Sequence, residues 1–115
     1  MPKSKIAPAL DRIRALNDAL RAGGGTNGKI MLSIGVGALD PSIQYRILRE
    51  VMLFDDFTND NDPYGEHDCA IVTWEEYRVL FKIEYYDLNL EYHSEDPADP
   101  NKTVRVMTVM FPEEY

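Results

Sequence analysis

Six carboxylates, those of Asp55, Asp56, Asp60, Asp62, Glu66 and Asp68, fall within fourteen consecutive residues that contain no Lys or Arg. Like charges this close repel, so a folded chain must keep them hydrated, hold a cation among them, or present them to a positively charged partner. Hydration is the plain outcome, because Asp60-Asn61-Asp62-Pro63-Tyr64-Gly65 consists of turn-forming types. A hard cation such as calcium wants several oxygen ligands, which Asp60, Asp62 and Asp68 could supply around Gly65. With Asp60 as the first position of a calcium-binding loop, Asp62 is third and Gly65 sixth, as required. Tyr64 then falls fifth and Ile71 takes the twelfth place, where a bidentate Glu is needed. His67, Cys69 and His93 are transition-metal ligand types, but their spacing matches no standard zinc arrangement. The expectation is no metal and no cofactor.

Catalysis meets a similar test. Glu66, His67 and Asp68 have the chemistry of a general base with an orienting carboxylate, and Cys69 that of a nucleophile. Neighbours in an extended segment point to opposite faces, so the four cannot all converge on one substrate. Gly23-Gly24-Gly25 and Gly35-Val36-Gly37 are too short for a phosphate or dinucleotide loop, and there is no nucleophile elbow. No catalytic residue is assigned. A small metal-dependent or hydrolytic enzyme centred on Glu66, His67 and Asp68 stands as the alternative reading.

The third reading is a surface that imitates nucleic-acid phosphates and binds the Lys and Arg side chains of another protein. Aromatic anchors supply contact area in such a surface while charge steers and orients. The residues expected to carry it are Asp55, Asp56, Phe57, Asp60, Asp62, Tyr64, Glu66 and Asp68, joined by Asp87, Glu91, Glu95 and Asp96. The charge distribution agrees. Residues 1–54 carry eight Lys or Arg against four Asp or Glu, whereas residues 55–100 carry two against fourteen. With a net charge of -8, direct binding to nucleic acid or to anionic membrane is disfavoured, and basic proteins are the natural partners.

These groups must be positioned by one domain, since 115 residues support a single core and no more. In residues 5–22 the apolar Ile6, Ala9, Leu10, Ile13, Leu16, Ala19 and Leu20 recur at helical spacing, with Arg12, Arg14, Asp18 and Arg21 between them on a solvated face. Gly23-Gly24-Gly25 and Thr26-Asn27-Gly28 end that helix and turn the chain. Residues 29–36 read as a mostly buried strand. Asp40 before Pro41 is an N-cap signature, so a second helix runs over residues 41–54. Residues 70–74 and 77–86 are β-branched and aromatic, separated by a turn at Glu75-Glu76, and in the second Tyr77, Val79, Phe81, Ile83 and Tyr85 alternate with more polar positions. Residues 88–92 extend this ribbon, 94–101 form a polar loop, and 103–111 form the last strand. The order predicts an α+β fold, a mainly antiparallel sheet of four to five strands with two helices packed on one face.

Laid out in full, Leu16-Asn17-Asp18, Phe54-Asp55-Asp56-Phe57-Thr58, Asn61-Asp62-Pro63-Tyr64-Gly65-Glu66-His67-Asp68, Lys82-Ile83-Glu84-Tyr85-Tyr86-Asp87 and Asp96-Pro97-Ala98-Asp99-Pro100 resemble a small bacterial family catalogued as a domain of unknown function. The resemblance brings no activity and no catalytic residues. It implies an interaction role, because such families are similar to plasmid and phage accessory proteins, among which small acidic chains inhibit host defence. The expected protein is therefore an acidic, non-catalytic inhibitor of a nucleic-acid-handling defence complex, anti-CRISPR-like or anti-restriction-like. A single cysteine, Cys69, and no apolar run of membrane-spanning length suit the cytoplasm, and the chain is expected as a monomer, or as a homodimer in which Arg12, Arg14 and Arg21 pair with the acidic half of a second copy.

Overall fold

The helical spacing at the start of the chain becomes α1, Ile6–Arg21, in the computed structural model, which describes residues 6–23 and 28–115. Gly23 follows at φ 82°, a left-handed position that glycine takes without strain, and its N–H donates to Leu20 O over 3.0 Å. The expected start at residue 5 and the turn at 24–27 lie outside the described residues. One part of the helix reading is corrected. Arg21 is not on a solvated face but only 7% exposed, because its long side chain lies across the rings of Phe57 and Phe81.

Residues 29–36 do not form one buried strand. β1, Gly28–Leu32, stops where the Ser33 hydroxyl accepts the Val36 N–H and caps a short helix, α2, Ile34–Gly37. β1 is also a sheet edge, hydrogen-bonded on one side only, so Lys29, Ile30 and Met31 stay exposed. α3, Pro41–Leu53, starts as its sequence dictates: Asp40 accepts the Ser42 N–H at 3.0 Å and the Ser42 hydroxyl at 2.7 Å, which holds its carboxyl below the usual carboxylate value.

Three more strands follow, β2 (Cys69–Trp74), β3 (Tyr77–Tyr86) and β4 (Val104–Met110), then a single 3-10 turn, Pro112–Glu114. The expected extension over 88–92 is absent. The ribbon stops at Tyr86, the chain turns, and only His93 returns to bridge to Tyr86. The four strands are ordered β1-β4-β3-β2, with β1 parallel to β4 and the other two pairings antiparallel.

Cross-strand partners share a face, and the register therefore sorts the side chains. Ala70 and Val72, Val79, Phe81, Ile83 and Tyr85, and Met107 and Val109 point one way, where Leu20 of α1, Val36 of α2 and Ile47 and Val51 of α3 complete a single core. Burying a side chain of the size of Phe81, which is wholly enclosed, contributes about 2 to 3 kcal/mol. On the other face lie Lys29 and Met31, Val106, Thr108 and Met110, Leu80, Lys82 and Glu84, and Cys69 and Ile71. The C-terminal turn is locked to α2: the Glu114 carboxylate accepts from the Ser33 hydroxyl (2.7 Å), Phe111 N–H (2.8 Å) and Gly35 N–H (2.9 Å).

Candidate functional site

The acidic loop between α3 and β2 is folded by its own short-range chemistry and then fastened to α1. Thr58 and Asn61 bond each other reciprocally, the Thr58 N–H to Asn61 Oδ1 (2.8 Å) and the Asn61 N–H to Thr58 Oγ1 (3.3 Å), while Asn61 Nδ2 donates to Asp56 O (2.8 Å). Asp62 is 8% exposed. Its two carboxylate oxygens accept the His67 N–H at 3.2 and 3.3 Å, which holds His67 in the left-handed region at φ 56°. At the turn itself Gly65 donates its N–H to Asp62 O, and Arg14 Nε donates to Gly65 O over 2.6 Å.

Two polar clusters follow. In the first, the His67 ring lies flat on Phe57, centroids 3.9 Å apart, with Nδ1 2.8 Å from Asp18 Oδ1 and Nε2 3.6 Å from Asp62 Oδ2. The Arg21 guanidinium sits 5.0 Å from the Phe57 centroid and donates to Asp18 (3.1 Å) and Phe54 O (3.1 Å). In the second, Asn17, completely buried, donates Nδ2 to Tyr85 Oη (2.8 Å) and Glu66 O (3.0 Å) and accepts Arg105 Nε at 2.8 Å. The Tyr85 hydroxyl donates to Glu66 Oε1 at 2.5 Å, and Arg105 Nη2 donates to Pro97 O. Burial, and then the Glu66 carboxylate, push the Tyr85 phenol far up. Arg105 is pushed down by burial against the attraction of Tyr85 and Glu66.

The expected site residues therefore divide. Asp55, Asp56, Asp60, Tyr64, Glu91 and Glu95 are exposed and available to a partner. Asp62, Glu66 and Phe57 are engaged inside the fold and do not belong to a free binding face. Asp96 spends one oxygen on the Ala98 N–H at 3.3 Å. Asp87 Oδ1 accepts the Glu91 N–H at 3.0 Å.

At His93 the structure brings Asp68, the last carboxylate of the acidic loop, beside carboxylates of the later acidic segment. One groove of about 350 Å³ is lined by Asp68, Ile83, Glu84, Tyr85, Tyr86 and His93. The next, of about 360 Å³, is lined by Asp87, Leu88, His93, Glu95 and Lys102. Burial, followed by repulsion from Glu66, holds the Asp68 carboxyl above the usual carboxylate value. Burial and the neighbouring Asp68 also push the Cys69 thiol up, away from a reactive thiolate. Glu66, His67 and Asp68 are each directed at a different partner: Tyr85, Asp18 and this groove. Among the described residues no three His, Cys, Asp or Glu side chains are placed to hold a metal ion, and no helix is long and apolar enough to cross a membrane.

The family described as "Protein of unknown function (DUF3768)" matches residues 32–114. The chain belongs to this family. The match takes in the acidic loop, both grooves at His93, and Tyr85 and Arg105, but stops short of α1, so the groups that fasten the loop from Asn17, Asp18 and Arg21 lie outside it. No curated protein and no solved structure matches the chain.

Sequence reasoning missed Asn17, Asp18, Arg21, Tyr85 and Arg105 as the loop's anchors. A signal was present for two of them. Asn17 stands four residues after Ile13 and three before Leu20, on the buried line of α1, and Arg105 holds an inward position in the alternation with Met107 and Val109.

Proposed function

We propose that this protein is a non-catalytic acidic interaction protein of the cytoplasm that binds a basic surface of another protein, one that handles nucleic acid, and inhibits it. The observation that supports the reading is the gathering at His93 of Asp68, from the acidic loop, with Glu84, Asp87 and Glu95 in two grooves that share His93. Arg21 and Arg105 are buried and bonded inward, so the cations that temper this surface are Lys82, 3.7 Å from Glu84, and Lys102 in the groove wall, two against four carboxylates. Exposed Tyr92 and Leu88 beside the carboxylates offer the apolar anchors that charge alone lacks.

A carboxylate surface of this kind attracts a partner through charges that salt screens. The test is capture from host lysate at about 0.05 M salt, followed by elution as salt rises to about 0.5 M, with the captured protein then assayed for nucleic-acid binding. Charge reversal at Asp87, Glu91 and Glu95 should abolish capture, and the wild-type protein should displace nucleic acid from the captured partner. Capture unaffected by both salt and reversal would refute the reading.

A further inference from the structure

The face of the sheet turned away from the helices is charge-mixed and apolar, and its register has a symmetry that the acidic loops lack. Lys29, Val106 and Glu84 stand in one row across β1, β4 and β3. The next row is Met31, Thr108 and Lys82, and beyond it Met110 pairs with Leu80 and Leu80 with Ile71. Ile71 and Met31 are 38% and 52% exposed, and Leu80, Val106, Thr108 and Met110 are half-buried. The C-terminal turn reaches one end of this face, where Lys82 Nζ lies 4.7 Å from the Tyr115 ring, and the His93 groove borders it at Glu84.

We propose that a second copy of this chain covers this face, related by a two-fold axis that runs along β4. Such an axis keeps each residue at its own level along the strand and exchanges the β1 and β3 sides of the sheet. Val106 then meets Val106, Lys82 meets Met31, and Glu84 of each copy, which lies 3.7 Å from its own Lys82 and accepts the Tyr86 hydroxyl, gains Lys29 of the other copy as a further cation. A charge-mixed patch that becomes complementary to itself under rotation is what an isologous contact requires. The charges elsewhere point the same way. With a net charge of -8, two copies repel over most of their surface. The only Lys or Arg within residues 55–100 are Arg78 and Lys82, and the register puts both on this face, opposite Thr73 and Cys69. Arg78 lies at the far end, sharing a groove with Glu76 and Glu113, away from the axis. Two sheets stacked face to face pack about 10 Å apart with strands nearly aligned.

The three strands that overlap about this axis, β1, β4 and β3, roughly 4.8 Å apart and about 23 Å long, make a flat footprint of roughly 330 Å², below the roughly 800 Å² per partner of a lasting complex. The association is therefore weak and concentration-dependent. It occludes Glu84 at the margin of the proposed partner face and leaves Asp87, Glu91, Glu95 and the acidic loop free.

The test is sedimentation equilibrium of the full chain from about 5 µM to 500 µM, a range chosen for a contact of this size. The weight-average mass should climb from 13.2 kDa towards double. Lys29→Glu and Glu84→Lys, each made alone, should weaken association about tenfold or more, because each leaves like charges facing across the axis. The double variant Lys29→Glu with Glu84→Lys should regain the wild-type dissociation constant within about threefold. Thermal melting of the singles confirms that they fold. A mass of 13.2 kDa at every concentration overturns the proposal, as does a double variant no tighter than the singles. Association indifferent to all three variants would put the contact elsewhere and also overturn it, as would hydrogen-exchange protection of Val106 and Thr108 that appears only with a different protein.

Discussion

Replacing Asn17 by Ala removes a side chain that bonds three groups at once. Its Nδ2 serves Tyr85 Oη and Glu66 O, and its Oδ1 is the acceptor for Arg105 Nε. The losses are unequal. Tyr85 keeps its bond to Glu66, and Glu66 O lies in a partly exposed segment where water can replace the lost donor. Arg105 is 1% exposed, so its Nε–H is left unbonded on a buried cation, a loss of about 2 to 3 kcal/mol. The emptied amide volume adds about 1 kcal/mol. The total, about 3 to 4 kcal/mol, is a large part of the 5 to 15 kcal/mol that holds a typical domain together. With a urea slope of about 1.5 kcal/mol per M, the unfolding midpoint falls by about 2 M. Urea titration followed by circular dichroism reads this directly. Adding Arg105→Met to Asn17→Ala should return part of the loss, because the unpaired charge goes with it. A midpoint shift under about 0.5 M for Asn17→Ala, or a double variant less stable by the full sum of the two singles, would refute the buried network as the loop's anchor.

Other expectations follow from single groups. Asp68 titrates above its unfolded value, so the folded state holds its proton longer and stability contributed here falls as pH rises through the folded titration. Asp68→Asn should therefore raise the melting temperature at pH 7, with the gain vanishing below about pH 4, and no gain at pH 7 would contradict the burial argument. Glu114 titrates below its ordinary value because Ser33, Phe111 and Gly35 donate to it, so its stabilisation is present at neutral pH and lost as pH falls through the folded titration. Calorimetry should show Glu114→Gln melting lower than wild type at pH 7 and equal to it near pH 3. A Cβ on Gly35 would lie 2.8 Å from the Phe111 ring and 2.9 Å from both Glu114 oxygens. Gly35→Ala should thus free the C-terminal turn and speed amide exchange at Phe111, and unchanged exchange would mean that the lock is not closed in solution.

What the sequence disclosed was periodicity and caps. Asp40-Pro41 located the start of α3, and the alternation through Phe81 and Ile83 identified the inward face of β3, because both signals lie within a few residues of their consequence. The parallel pairing of β1 with β4 was not legible, since residues 28 and 105 leave no local trace of meeting. The buried polarity was obscured for another reason. A helical wheel sorts Arg21 by its charge, whereas its methylene stem and flat guanidinium pack against Phe57 and Phe81 like an apolar group. The acidic run was legible as charge but not as structure: Asp62 and Glu66 read like Asp55 and Asp60, and only the fold reveals that the first two are fastened inward.

The bond from Asn17 to Arg105 spans 88 positions, and this sets an order of events during synthesis. At about 5 to 20 residues per second, the ribosome adds Arg105 some 4 to 18 s after Asn17. Before Arg105 arrives, Asn17 can already meet Tyr85 of β3, and Arg21 the carbonyl of Phe54 and the rings of Phe57 and Phe81. Arg105 is the last of Asn17's partners to be made, and the buried network closes only with it.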